Sequence, residues 1–533
     1  MKQQTIIKVA VCLFVTVALS AAFAEAQEPP KPMQKAPPRA EGEGPYTRLV
    51  LKNVTLIDGT GAPPVGPVDI VIEKNRIVSI RGAERAGKPP KQEPGTREMN
   101  LAGMYVLPGL INMHTHIGPV TSIPAEYLYK LWMGHGITTI REVWCQNGVD
   151  WVLGERDRSA KNEITAPRIK AYCHISMDQK GPFTDAASAR RQVDALADRG
   201  VDGLKFTGLP PDQFQAALDE AAKRGLRTAA HLSQQSVARA NALDTARWGL
   251  TSLEHWYGLP ESLFDDRTVQ DFPLDYNYSN EAHRFGQAGR LWLQGAKPGS
   301  AKWNAVRDEM IKLNFTLDPT LTIYEANRDL MRTRRAEWHE DYTMPALWKW
   351  YAPNRENHGA YWYDWTTEDE VAWKHNYQRW MEFLNDYKNH GGRVTTGEDA
   401  GYIYSLYGFG YIRELELLRE AGFHPLEVFR AATLNGAEAL GVADQLGTVE
   451  PGKLADLIVL SENPLANIGS LYGTGAIKLT DKNEIVRVGG VKYTIKDGIV
   501  YDAAKLLADV RRMVSEDKKK TNFHITQPGA AQP

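Results

Sequence analysis

A chain of 533 residues exceeds the size at which a single hydrophobic core keeps growing, so a large domain with at least one smaller companion is expected. Its 63 basic and 65 acidic residues leave a formal charge of -2 at pH 7, and no long basic run precedes the tail. That balance excludes the electrostatic footprint of a nucleic-acid binder.

Lys2 and Lys8 open the N-terminus, an apolar run follows from Val9 to about Ala22, and Ala22-Phe23-Ala24 and Ala24-Glu25-Ala26 offer A-x-A cleavage sites. Residues 1–26 therefore read as a secretory signal peptide. A membrane anchor is the alternative, but the run is shorter than the roughly 20 residues a spanning helix needs. Cys12 lies inside the run, behind Val11 instead of a small residue, which argues against lipidation. No other stretch reaches about 18 apolar residues, so no stable membrane insertion is expected and the mature protein should be periplasmic or secreted. Residues 27–46, with Pro29, Pro30, Pro32, Pro37 and Pro38, read as a flexible leader without a core.

Alternating apolar and polar residues at 49–58 and 68–80, with turn residues between them, predict short antiparallel strands. The same texture returns at 455–460, 485–488 and 493–501. Two β-rich flanks around a different middle predict one small β-sandwich made from both ends of the chain, residues 47–107 and 437–505.

The run 106–118 predicts one buried strand delivering His114 and His116 on a shared face, with Thr115 pointing away. Further strand patterns follow at 137–143, 168–173, 202–206, 227–231, 251–255, 314–318 and 393–399, and helical patterns at 185–199, 211–224 and 234–248 separate several of them. Eight strands alternating with helices predict a (β/α)8, TIM-like barrel over residues 108–436. Insertions at about 260–305 and 325–390 fit no regular barrel unit. Half of the 14 tryptophans fall between Trp338 and Trp380, and this aromatic stretch reads either as a lid touching an apolar or aromatic substrate or as material packing on itself or another subunit. Residues 506–533 are expected to continue a terminal helix running from 502 to 520 and then to be disordered.

His114, His116, Lys205, His231, His255 and Asp399 all fall at C-terminal strand ends, the rim on which barrel active sites sit. A lone barrel histidine is often a satisfied core residue, and Lys205 alone could be an ion-pair partner. Six such groups on one rim point instead to a metal site. His174, which follows the third strand, Tyr324 and Arg141 are candidate substrate contacts. Cys145 and Cys173 end neighbouring strands, so they form either a disulfide in an oxidising compartment or two buried thiols.

The set His114-Thr115-His116, Lys205, His231, His255 and Asp399 resembles the metal-dependent amidohydrolase superfamily, in its imidazolonepropionase and Xaa-Pro dipeptidase branch. Residues 136–141, 396–401, 431–437 and 447–457 carry the likeness further, which covers 47–505 apart from insertions. The resemblance implies two divalent metal ions, with zinc the expected identity. His114, His116 and Asp399 would hold one, His231 and His255 the other, and Lys205, carboxylated by carbon dioxide, would bridge them. A free ammonium cannot ligate a cation, whereas a lysine carbamate offers two anionic oxygens. A water between two metals is acidified, and Asp399 would carry its proton to the leaving amine. The chain departs from relatives at Glu142, where Asp is usual, and at Trp144-Cys145, where small residues are common.

These features lead to the expectation of a hydrolase cleaving a C–N bond in a small-molecule or dipeptide substrate, such as a dipeptide or N-acyl amino acid, with a homo-oligomer compatible with the chain. The alternatives are a ring-opening or ester hydrolase on the same site, and a non-catalytic secreted binding protein.

Overall fold

A computed structural model describes residues 32–82, 95–177, 181, 183–353, 362 and 364–526. The expected signal peptide, residues 27–31 of the leader and the last seven residues of the tail, 527–533, lie outside the described residues.

The barrel strands are β6 (Leu110–Thr115), β7 (Ile137–Glu142), β8 (Arg168–His174), β9 (Gly203–Phe206), β10 (Arg227–Ala230), β11 (Ser252–Glu254), β12 (Thr316–Asp318) and β13 (Arg393–Val394). Each pairs in parallel with its sequence neighbour. The ring closes where Met113 N donates to Thr396 O (2.9 Å) and Asp399 N donates to His114 O (3.0 Å). Closure thus occurs at the residues that carry two of the candidate ligands. All eight strands run the same way, so their C-terminal ends share one rim.

The expected single strand over 106–118 is two strands in two sheets. β5 (Tyr105–Pro108) pairs with β1 (Arg48–Leu56) and with β14 (Leu457–Leu460), whereas β6 pairs with β7. Gly109 makes the transfer possible. A Cβ there would lie 2.1 Å from Thr138 Oγ1 and 2.5 Å from its Cγ2, a separation no side chain tolerates.

The small β domain draws on both flanks. β1, β2 (Val65–Glu73), β3 (Arg76–Gly82), β4 (Thr96–Asn100) and β5 join β14, β17 (Val491–Lys496) and β18 (Ile499–Asp502) in one hydrogen-bonded sheet. Leu49, Ile70 and Ile77 from one limb share a core with Leu457, Ile495 and Val500 from the other. Residues 485–488 do not join this sheet. β15 (Ala476–Leu479) and β16 (Ile485–Val488) form a separate hairpin that leaves Ile477, Leu479 and Ile485 exposed, so alternation there marks a strand but not a core partner. Arg168 at the start of β8 ties the two domains by donating to Asp497 (2.8 Å) and Asp456 (3.3 Å).

Several expectations need correction. The described part of the leader is docked: Met33 and Ala36 are buried, Met33 N donates to Asn147 Oδ1 (2.8 Å), and Ala36 N donates to Glu155 Oε2 (3.1 Å). Two apolar side chains and side-chain acceptors on the barrel help to order this Pro-rich segment. The expected helix over 234–248 shortens to Ala242–Arg247, because Asn241 caps the backbone N–H groups of Leu243 and Asp244 and a serine turn precedes it. The second insertion contains a regular barrel helix, Thr367–Asn389, opened by a Thr366/Asp369 capping box. Another, Ala301–Lys312, begins at the edge of the first insertion. After the terminal helix Ala503–Thr521, Phe523 and Ile525 still pack against the core.

Lys130 links the leader to both a barrel helix and the terminal helix. Its Nζ lies 2.6 Å from Glu41, 2.7 Å from Glu126 and 2.9 Å from Asp509, with the side chain buried. Partial burial opposes ionisation of Glu41 and Asp509, yet the ammonium holds both below their usual values of 4.5 and 3.8. Groups with depressed pKa stabilise the fold above those values and lose that contribution as pH falls. Lys130→Met should therefore destabilise the protein at pH 7 by roughly 1.5–3 kcal/mol, the scale of hydrogen bonds to charged groups. In chemical denaturation the gap to wild type should shrink below about pH 4, and a gap constant from pH 7 to pH 3 would contradict this assignment.

Candidate metal centre

The predicted rim residues converge on one cavity of about 330 Å³, whose lining includes His114, His116, Lys205, His231, His255 and Asp399. His114 Nε2 lies 3.5 Å and His116 Nε2 3.2 Å from Asp399 Oδ1, and His255 Nε2 lies 3.7 Å from Asp399 Oδ2. The His231 ring centroid is 4.4 Å from that of His255. His255 and Asp399 both adopt left-handed backbone, φ 62° and 46°, at their strand ends. Neither is glycine, and such strain persists where surrounding contacts hold a functional side chain in place.

Hydrogen bonds set the tautomers. His114 Nδ1 is 2.7 Å from Glu254 Oε2, so it carries the proton. The Thr320 hydroxyl donates to Pro319 O (2.6 Å), which leaves its oxygen to accept from His255 Nδ1 (2.5 Å). In both rings the Nε2 lone pair therefore faces the Asp399 carboxylate. Burial, reinforced by neighbouring cations and imidazoles, holds His114 and His255 well below the ordinary imidazole value and keeps them neutral. Lone pairs facing a carboxylate repel unless a cation lies between them, so this donor set fits a divalent metal.

Lys205 is fully buried and its Nζ has no hydrogen-bond partner, the nearest carboxylate being Glu254 Oε2 at 3.8 Å. Burial, partly offset by Glu254, pulls its pKa down to about 8. A neutral amine is thus accessible near physiological pH.

Beneath the ligands lies a charged cluster absent from the sequence reading. Arg141 Nη2 donates to Glu254 Oε1 (2.8 Å) and Asp318 Oδ2 (3.3 Å), while its Nη1 donates to Ser252 Oγ (3.0 Å). Burial works against both carboxylates. Arg141 and Lys205 keep Glu254 low, whereas burial and the Glu254 charge push Asp318 well up. Ligand atoms of His114, Glu254 and Asp318 also lie within 4.8 Å of one another. Arg141 already supplies the cation there, so that trio orients ligands and does not compete for metal.

The other candidates separate. Tyr324 lines the cavity. Arg141 is 1% exposed and spends its donors on Glu254, Asp318, Ser252 and the Met113 carbonyl, so the expectation that it contacts substrate is corrected. His174 stacks behind Trp144, with ring centroids 4.3 Å apart, and it is Trp144 that reaches the cavity. Sequence reading also missed Gln146, Thr207, Ser233, Phe285 and Tyr402 in the lining. The tryptophans at 338–380 do not appear among the described lining residues. Trp373 instead stacks behind Tyr324 (6.2 Å) and Trp350 lies beside Tyr402 (6.2 Å), so they support the wall from outside. Cys145 and Cys173 form a disulfide, which settles that pairing against two thiols.

Comparisons with known proteins agree with this geometry. The model of the Amidohydrolase family matches residues 378–500, which include Asp399. Residues 378–500 thus resemble the Amidohydrolase family. Imidazolonepropionase of Thermoplasma acidophilum is 38% identical over 79 residues, 15% of this chain and 18% of that relative. The match thus spans under a fifth of the curated relative's length. Two solved structures share the fold at 18% identity: a Xaa-Pro dipeptidase with methionine bound in its active site (TM-score 0.57, 86% of this chain and 100% of that one) and a bottromycin amidohydrolase (TM-score 0.61, 89% and 91%). The fold shared with these two structures extends well beyond residues 378–500 and includes the strands that carry the histidines.

Glu254→Gln removes the anion that orients His114 while keeping the side chain's shape. It should weaken retention of a divalent metal by about 10–100-fold, the usual effect of losing such a partner. Equilibrium dialysis against a chelator reads this directly, and unchanged metal affinity would show that Glu254 serves packing alone.

Proposed function

We propose that the protein is a metal-dependent hydrolase of a C–N amide bond, with His114, His116 and Asp399 holding one divalent ion, His231 and His255 a second, and carboxylated Lys205 bridging them. The observation that carries this reading is the pair of buried imidazole lone pairs aimed at Asp399 beside a buried Lys205 amine that makes no hydrogen bond. A depressed ammonium pKa favours carbamate formation, in which Nζ attacks carbon dioxide, an N–C bond forms and a proton is released. When bound, the ions would acidify a water and polarise the scissile carbonyl.

The chain's own residues supply the remaining steps. Asp399, at the mouth of the cluster, accepts a proton from the attacking water and returns it to the departing amine. Glu254 and Thr320 hold His114 and His255 in the ligating tautomer. Thr207 and Ser233 offer hydroxyls to the polar part of a substrate, and Phe285, Ile323 and Tyr324 keep water from its apolar part. The Xaa-Pro dipeptidase likeness favours a small amide such as a dipeptide or N-acyl amino acid. Zinc is the proposed metal because the donor set is rich in imidazole. Secretion is part of the same proposal, supported by the N-terminal apolar run and by a disulfide of the kind that persists in oxidising compartments. Among the described residues, no helix is long and apolar enough to cross a membrane.

Lys205→Ala should abolish most amide hydrolysis and lower metal content, because the anion between two dications is gone. Formate or propionate should partly restore both, whereas small amines should not. Full metal content with near-normal turnover in Lys205→Ala would refute the bridged pair.

A further inference from the structure

Trp144 occupies a position where the resemblance leads one to expect a small residue, and three separate links fix it in place. Its indole stacks on the His174 ring at 4.3 Å with an interplanar angle of 11°. His174 N donates to Trp144 O (3.1 Å). The adjacent residues, Cys145 and Cys173, are joined by the disulfide. His174 is itself held, with Nδ1 2.6 Å from Ser176 Oγ and Nε2 3.2 Å from Thr207 Oγ1. One face of the indole is therefore taken, and Trp144 offers the cavity its other face or its edge.

Across the mouth, Tyr402 stands beside His116, with ring centroids 5.8 Å apart, and its hydroxyl accepts from Gln146 Nε2 (3.3 Å). Tyr324 flanks His255 at 5.5 Å, and Phe285 also lines the cavity. The candidate ligands thus sit between aromatic walls, one of which is rigid before anything binds. A preordered aromatic surface loses little freedom on association, so its contact with a flat apolar group is kept nearly in full.

We propose that Trp144, held by the His174 stack and the neighbouring disulfide, is the specificity-determining platform of this site, selecting substrates with a planar, uncharged aromatic group next to the scissile amide. The proposal rests on the hydrolase reading above and deepens it by naming a substrate class. It also gives the disulfide a positioning role: the cross-link fixes where the platform stands and makes no contact with the substrate.

Hydroxamates chelate divalent metals and differ only in the group attached, so they separate the platform from the metal site. Binding of benzohydroxamate and acetohydroxamate to the zinc-loaded full chain is measured by calorimetry. Wild type should prefer benzohydroxamate. Trp144→Ala should reduce that preference by about 10-fold, the scale of one lost aromatic contact, and leave acetohydroxamate binding unchanged. Trp144→Phe should retain most of the preference, and Cys145→Ser with Cys173→Ser should lose part of it at full zinc content. An aryl preference equal in wild type and Trp144→Ala overturns the platform alone. Equal weakening of both hydroxamates in Trp144→Ala reduces Trp144 to a structural role and also overturns it. If neither hydroxamate binds the zinc-loaded wild type, the underlying metal-hydrolase reading fails and the platform falls with it.

Discussion

Arg141, 1% exposed in the middle of the barrel, is the charge on which the candidate centre depends. It lies against Glu254 and Asp318, two carboxylates that could not share the same apolar interior without it. Glu254 then orients His114, stands nearest to Lys205, and through His114 fixes the lone pair that faces Asp399. Geometry at the rim is thus set by a salt-bridged layer one step below it. Replacing that layer by apolar residues would preserve a barrel and lose the tautomers.

Barrel closure and site assembly use the same residues. Hydrogen bonds from Met113 and Asp399 to the opposite strand end bring β6 and the residues after β13 together, which places His114, His116 and Asp399 around a single point. Parallel strands do the rest by delivering Lys205, His231 and His255 to the same rim. The small β domain joins the barrel through Gly109 and through Arg168, and the docked leader reaches the loop that follows the histidine pair, where Met33 packs on Gly118.

Much of this was legible in the sequence because its signals are local. Strand length, the His-x-His spacing and the recurrence of one polar group per strand end are properties of short windows, and they placed all eight barrel strands. The capping box at Thr366 with Trp373, Tyr377, Trp380 and Leu384 at helical spacing was equally readable, yet the aromatic content of the segment drew attention away from its period. Glu254 and Asp318 were hidden for a different reason. Each ends a short buried strand, where a charge reads as the strand's exit, and only the closed barrel shows that both point at Arg141. A rule that charges inside buried strands must find partners would have linked them. The leader misled because composition alone says nothing about a surface waiting for Met33 and Ala36. The 476–488 hairpin misled because strand patterning does not reveal whether its apolar face is covered.

In the proposed centre, two metal ions share a carboxylated Lys205 within one ring of histidines. Anomalous diffraction from crystals of the metal-loaded protein tests it most directly. Two anomalous peaks are expected, one among His114, His116 and Asp399 and one at His231 and His255, with added density on Lys205 Nζ between them. A single peak at His114, His116 and Asp399, with Lys205 unmodified and paired to Glu254, would contradict it.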